Sequence, residues 1–362
     1  MNAYIVESSA IRNNIAKLRA IVKEHTTLWA VVKGNGYGLG ISELTMLLLE
    51  EGIRSFAVTE PEEAEAVRAC CSEAEILMLR PGCDLNTLER LLRTNAICTV
   101  SSLEDAAVLS AMAQSAETTV RVHIKIDTGM GRYGFRCEEI QRIAQVYQLP
   151  SLTVTGTYTH FHSSFVNDQE TRVQYQRFEA ALQAMRAAGF EPGMCHCCNS
   201  SAALKFPEMH MDAVRIGSAL LGRVLNGTGI GLQRTGWAEA SVDELHQLKK
   251  GESTGYGAGW VAKRDTTLAI LPIGYFHGFG AEYGRDLFRL RDGIRTAISS
   301  VLAALKGKQI TVTINGKSYP VCGHIGMLHT AVDVTDSEVR QGDVACLQVN
   351  PLLQKGMPLE FR

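Results

Sequence analysis

A lysine closes an apolar run in Val31-Val32-Lys33-Gly34-Asn35-Gly36-Tyr37-Gly38. A lysine at the end of a buried segment is partly desolvated. That lowers its pKa and suits an amine that forms a Schiff base. The glycines after it permit tight turns and close approach of the backbone to a ligand. The same residue would also serve as a surface lysine ending a buried strand. Other apolar runs end in polar groups too: Lys125-Ile126-Asp127-Thr128-Gly129-Met130-Gly131-Arg132, Thr159-His160, Asn199-Ser200-Ser201 and Arg215-Ile216-Gly217. Each has a bland role when taken singly. His160 would suit a hydrogen-bonded core histidine, and Asn199 and Ser200 a helix cap. Together they favour a phosphate-bearing ligand held near a lysine.

The elements that must gather these groups follow from periodicity. Helical patterns run over Ile11–Glu24, Ser42–Glu51, Glu60–Cys70, Asp84–Arg93, Leu103–Gln114 and Gln169–Ala188. Between them lie β-like runs at Leu28–Lys33, Ser55–Val58, Ile76–Leu79, Ile97–Val100, Val120–Asp127, Leu152–His160, Met194–Asn199 and Ala213–Ile216. Strands alternating with helices predict an α/β fold, an N-terminal (β/α)8 TIM barrel over residues 1–230. A doubly wound open sheet is the competing arrangement. In a barrel, catalytic groups sit at the C-terminal ends of strands, and the loops after strands seven and eight often bind phosphate. Ser200 and the backbone around Gly217 stand there. After about Gly229, Gly, Thr and β-branched residues dominate, and residues 231–362 read as a mainly β domain. Its runs include Thr267–Ile273, Ile310–Ile314 and Thr330–Val334, with Asn315-Gly316 as a two-residue hairpin signal. One segment, Asp286–Leu305, looks helical.

Composition sets the class. The chain has 362 residues, 46% hydrophobic and 20% charged, with a net charge of -2. That suits a two-domain globular protein and argues against a nucleic-acid footprint, which wants a basic face. No apolar run is long enough to cross a membrane. Met1–Ala10 lacks the pattern of a signal peptide. Ten cysteines in a chain of this size read as reduced thiols, hence a cytoplasmic protein. Cys195, His196, Cys197 and Cys198 are neighbours on one run and point to opposite faces. They do not converge on a metal, and no metal is expected.

The segments together resemble the alanine racemase family. Lys33-Gly34-Asn35-Gly36-Tyr37-Gly38 looks like that family's cofactor-lysine motif, with glycines where alanines are usual. His123 to Gly134 is similar to its second signature. Tyr158-Thr159-His160-Phe161, Asn199-Ser200, Arg215-Ile216-Gly217, Gly255-Tyr256-Gly257, Pro272-Ile273-Gly274-Tyr275 and the stretch Gly323 to Val334 follow in the family's order. The resemblance implies a homodimer with shared active sites and a pyridoxal 5'-phosphate cofactor. It implies Lys33 as the lysine attached to the cofactor and as one base, with Tyr256 of the other subunit as the opposing base. A free tyrosine has a pKa near ~10, so it needs a cation or donors nearby, and His160 is a candidate. Arg215 matches the residue facing the pyridine nitrogen. An arginine stays protonated and cannot accept the ring proton as a carboxylate would. Arg132 would contact the cofactor's phenolate oxygen and, with Met327, the substrate. Tyr37, Ser200, Gly217 and Ser218 would hold the phosphate, with His160 and Asn199 beside the cofactor. Lys125 matches a lysine that is often carbamylated in the family.

Three departures bear on the substrate. Gly326-Met327-Leu328 stands where Cys-Met-Asp is usual, Phe276-His277-Gly278 stands where Ala-Asp-Gly is usual, and Leu352 to Arg362 contains no tyrosine. Leucine for aspartate removes a charge and makes the access loop more apolar. The reaction implied is racemisation of a small amino acid, alanine first, with serine or another amino acid as the alternative. Two other classes compete: a decarboxylase of similar architecture, and a pyridoxal-phosphate carrier without turnover. The decarboxylase would typically carry a run of consecutive glycines, which is absent. The carrier would lack the second domain. A cofactor-free lysine aldolase would not need the phosphate residues.

Overall fold

The structure, a computed structural model, describes residues 2–82, 84–224, 229–281, 290–305 and 309–362. The chain divides into two compact units. One is Ser8–Thr235, and the other joins the first seven residues to Gly236–Arg362.

The first unit is a closed barrel. Its strands are Thr27–Val31, Ser55–Val58, Glu75–Met78, Ile97–Val100, Val120–Asp127, Leu152–Tyr158, Met194–His196 and Ala213–Ile216. Each pairs in parallel with the next, and the eighth pairs with the first at Arg215 opposite Trp29. An open sheet would leave two unpaired edges, so closure decides between the two arrangements. The strands are β-branched and buried on both faces, as parallel strands under helices must be. Trp29, Val31, Ala57, Leu77, Ile97 and Ala213 pack as one cluster. Burying a large apolar side chain contributes about 1.5–3 kcal/mol, so such a cluster holds the strand ends in register.

Local chemistry starts the covering helices. Pro61–Cys70 opens with proline and a reciprocal capping box between Glu60 and Glu63. Leu85–Thr94 is capped by Asp84, and Asp168–Ala187 by Asn167. One barrel helix, Ile140–Gln148, escapes the periodicity reading. It is short, and Ile143 and Val146 are its only buried residues.

The second unit is built on a nine-stranded sheet. In spatial order its strands are Glu244–Leu248, Thr266–Leu271, Thr330–Asp333, Lys317–Cys322, Thr311–Ile314, Val344–Leu347, Gly236–Ser241, Asn2–Val6 and Leu359–Phe361. The opening residues, grouped with the barrel by sequence position, thus form a strand of the other unit. Asn2–Val6 pairs antiparallel with Gly236–Ser241 and parallel with Leu359–Phe361. Tyr4, Ile5 and Val6 are fully buried there. Ile314 pairs with Lys317 across Asn315-Gly316, both at positive φ, the geometry of a type I′ turn. The expected helix at Asp286–Leu305 is seen as Leu290–Leu305, and residues 286–289 lie outside the described residues. A small hairpin, Ser253–Thr254 with Trp260–Val261, carries Tyr256 at its tip.

Candidate active site

The first barrel strand ends at Val31, so Lys33 stands just beyond it and opens a left-handed turn. Gly34, Asn35, Gly36 and Tyr37 have φ of 64°, 53°, 66° and 55°. Glycine and asparagine tolerate this region, but a tyrosine there is strained. The turn is held by Glu63, which sequence reasoning missed. Its Oε1 accepts from Gly34 N at 2.6 Å and Asn35 N at 3.2 Å. Its Oε2 accepts from Thr59 N at 2.9 Å and Glu60 N at 3.1 Å. One buried carboxylate thus fixes both the helix start and the lysine turn. Its capping-box position was the available signal.

The strain on Tyr37 brings its ring to the eighth strand. A side chain at Gly217 would collide with the Tyr37 hydroxyl. Ser200 Oγ accepts from Gly217 N at 3.0 Å and from Ala219 N at 3.4 Å. A hydroxyl has two acceptor sites and one proton, so Ser200 keeps its O–H to donate. Lys33, Tyr37, His160, Asn199, Ser200, Arg215, Gly217 and Ser218 line one cavity of about 330 Å³. Asn199 is also the helix cap of the plain reading: its Oδ1 accepts from Ala202 N at 3.1 Å and from Ser164 Oγ at 2.8 Å. Arg223 lines the same cavity and was not singled out by sequence. Its place shortly after strand eight was the signal.

Arg215 is buried and held by carbonyls. Its Nη2 donates to Thr159 O at 2.7 Å and Cys197 O at 3.3 Å, and its Nη1 to His196 O at 3.2 Å. Nη1 also donates to His196 Nδ1. That nitrogen therefore carries no proton, so a neutral His196 is protonated on Nε2. His196 Nε2 then donates to His123 Nδ1 at 3.0 Å. Burial and Arg215 hold His196 well below the usual histidine range and His123 down at about 3, so both rings are neutral. The chain of donors runs outward from the arginine, fixing its direction. His196 thereby serves Arg215 and not a metal, while the Cys197 and Cys198 thiols both donate to Met209 O at 3.2 Å.

The cavity is strongly cationic. Burial, then Arg132, then Arg215 lower the Lys33 pKa, opposed by Glu63. Burial, then Arg132 and Arg215 bring Lys125 down to about 7. Lys125 is buried, and its Nζ lies over the rings of Tyr158 at 5.3 Å and Tyr133 at 5.5 Å. No carboxylate ion-pairs with it among the described residues. His160 is driven below its ordinary value by burial and then by Arg215, Lys125 and Arg132. It is therefore a neutral donor or acceptor, not a cation. Burial pushes Tyr37 up to about 12, which keeps its proton on. Arg132 and Lys125 do not line the cavity but act on it through charge. A partly desolvated amine, hydroxyl donors and several cations fit an anionic aldehyde with a phosphate, so the residues present suit pyridoxal phosphate.

Tyr256 and Met327 lie in the second unit and share a different cavity there, of about 580 Å³. His324, Leu328 and His329 line it with them. Tyr256 is 83% exposed within its unit, and Met327 and Leu328 are exposed as well.

The alanine racemase N-terminal domain family matches residues 6–224, and its C-terminal domain family matches residues 237–351. An alanine racemase of Methanococcus maripaludis is 30% identical over 347 residues, covering 94% of this chain and 86% of its own. One from Desulforamulus reducens is 33% identical over 281 residues, covering 76% of each chain. Among solved structures, alanine racemase from E. faecalis is 26% identical with a TM-score of 0.82, covering 100% of this chain and 98% of its own. The enzyme from Bacillus anthracis with bound L-Ala-P is 25% identical with a TM-score of 0.83, covering 100% and 95%.

Proposed function

We propose, on the premise that this chain belongs to the alanine racemase family, that it interconverts L- and D-alanine with pyridoxal 5'-phosphate as its cofactor. It is an isomerase. The observation that carries this is the convergence of Lys33, Tyr37, His160, Ser200, Arg215 and Gly217, from different strand ends, on one cavity. The cofactor, when bound, delocalises the charge left as an amino acid's α-proton departs. Lys33 Nζ holds it, and afterwards moves the proton on one face of the substrate. Tyr256 Oη serves the other face. Ser200 O–H, Gly217 and Ser218 hold the phosphate, with Tyr37 seated over Gly217.

Arg215 presents N–H donors to the pyridine nitrogen. With its other contacts made to carbonyls and to neutral histidines, it has no carboxylate to give a proton through. The ring nitrogen stays unprotonated, which limits the electron sink and restrains transamination. Arg132 meets the phenolate side of the cofactor and, with Met327, the substrate carboxylate. The working form is a homodimer in which each subunit lends Tyr256 to the other. The exposure of Tyr256, Met327 and Leu328 supports this, because an apolar cluster left open marks an interface. The described residues hold no helix long and apolar enough to cross a membrane. We place the protein in the cytoplasm, a setting that suits ten cysteines in a fold that does not need disulfides.

The test is α-proton exchange in deuterated water, with added pyridoxal phosphate and a panel of L-amino acids, followed by chiral analysis. Exchange with appearance of D-alanine is expected. A cofactor-loaded protein that exchanges nothing would move the reading to a carrier. Two further outcomes follow from single residues. Leu328→Asp restores the family's charge to the access loop, and a shift in the ratio of kcat/KM between alanine and larger amino acids is expected. A single methylene in a pocket changes that ratio by roughly 10–200-fold, so the shift is measurable. An unchanged profile would clear the position. Lys125, with a pKa brought to about 7, is largely neutral at pH 8. A neutral amine adds to carbon dioxide to give a carbamate and one released proton. Labelled bicarbonate should therefore produce a carbamate carbon signal by NMR that Lys125→Ala lacks.

A further inference from the structure

Tyr256 stands on a tip that has little to hold it. Gly255, Gly257 and Ala258 have φ of 81°, 66° and 49°, and every residue from Gly255 to Gly259 is exposed. Below the tip, the ladder of Ser253–Thr254 with Trp260–Val261 is two residues long. Among the described residues, no hydrogen bond leads from Gly255–Gly259 to the rest of the unit. So short a hairpin is not stable by itself.

What meets the tip is the loop from Gly323 to His329. A Cβ built on Gly259 would lie 2.8 Å from His324 Cδ2 and 3.1 Å from its Nε2. The imidazole is thus seated on the bare Cα of Gly259. A Cβ on Gly255 would lie 3.6 Å from His324 N, and one on Gly323 would lie 3.1 Å from Thr254 O. The loop is itself anchored at its far end. Tyr275 N donates to Gly326 O and Phe276 N to Met327 O, each at 3.0 Å, and Gly326 N donates to His329 O at 2.9 Å. A fixed loop therefore presses one ring against a tip that is otherwise loose. His324 and Tyr256 also line the same cavity.

We propose that His324 is the positioning residue for Tyr256, its ring packing on Gly259 to hold the hairpin tip in the orientation the second base requires. The catalytic half of this rests on the racemase reading; the packing half does not. The contact is steric, so shape matters more than charge. Asparagine keeps an atom at the Cδ2 position and should replace histidine in part. Alanine should not.

Two measurements on the full chain test it. The first is amide hydrogen exchange of the peptide spanning residues 253–261, which needs no activity. His324→Ala should speed exchange there by about tenfold, a local loss near 1.4 kcal/mol, with the barrel peptides unchanged. His324→Asn should recover most of the protection. Gly259→Ala drives a methyl into the ring and should loosen the same peptide, and the double variant with His324→Ala should be less perturbed than Gly259→Ala alone. Unchanged exchange in His324→Ala, or losses that simply add in the double variant, would overturn the proposal. The second is deuterium incorporation starting separately from L- and D-alanine. His324→Ala should lower kcat by about tenfold with KM little changed, and unequally in the two directions, because Tyr256 serves one face only. Equal losses in both directions would reduce His324 to a general structural role and refute positioning. A wild-type protein that exchanges no amino acid would fail the racemase reading instead, while the hydrogen-exchange result would still decide the packing.

Discussion

Lys33→Ala is expected to abolish racemisation and covalent cofactor attachment together. A positioned base is worth ~10²–10⁴-fold, and this lysine has a second duty as the attachment point, so the loss should exceed that range. Burial and the charge of Arg132 lower its pKa. The sign is favourable: a lowered lysine pKa raises the neutral share of the amine at a given pH, and only the neutral amine attacks an aldehyde or accepts a proton. The variant should still bind the cofactor reversibly, because Ser200, Gly217 and Tyr37 do not depend on Lys33 for their places. Spectra should therefore show loss of the visible band of the attached cofactor, and borohydride treatment should leave no label after denaturation. A small added amine should restore some exchange. A reducible adduct persisting in Lys33→Ala would mean that another lysine holds the cofactor, and Lys125 would be the first to examine.

The barrel was legible because its signal is repeated. Each strand is a short apolar run bounded by turn residues, and each needs a covering helix, so several weak patterns support one another. Ile140–Gln148 escaped because a nine-residue helix with two buried positions gives too little period to see. The strand at Asn2–Val6 is a different failure. Its residues plainly want burial, but sequence carries no sign of which sheet will take them, and the answer lay more than two hundred residues away at Gly236–Ser241. The site divides in the same way. Lys33, Arg215 and Ser200 close apolar runs and could be singled out by position. Glu63 could not: its carboxylate acts on the backbone of another segment, and in sequence it is one acid among several at a helix start. His123 and His196 were equally silent, because their role is to orient Arg215 through a chain of donors that exists only once the barrel closes.

Tyr256→Phe should leave the cofactor in place and remove one half of the proton traffic. Phenylalanine keeps the ring and loses only Oη, so the hairpin tip and its contact with His324 should survive. The residues that hold the cofactor belong to the other unit. Loss of a single positioned base predicts a fall in kcat of ~10²–10⁴-fold. The fall should differ between assays. Lys33 would still remove the proton on its own face, so washout of label from one alanine enantiomer should continue while conversion to the other nearly stops. That pattern separates a two-base reaction from a one-base reaction in which lysine swings between faces. A single base would give equal residual rates for washout and inversion from either enantiomer, and Tyr256→Phe would then affect both alike. His160, held neutral by burial and by Arg215, cannot substitute as a cation near the phenol. Any support it lends must come as a hydrogen bond, so His160→Gln should be far milder than Tyr256→Phe, whereas a charge-based role would make the two comparable.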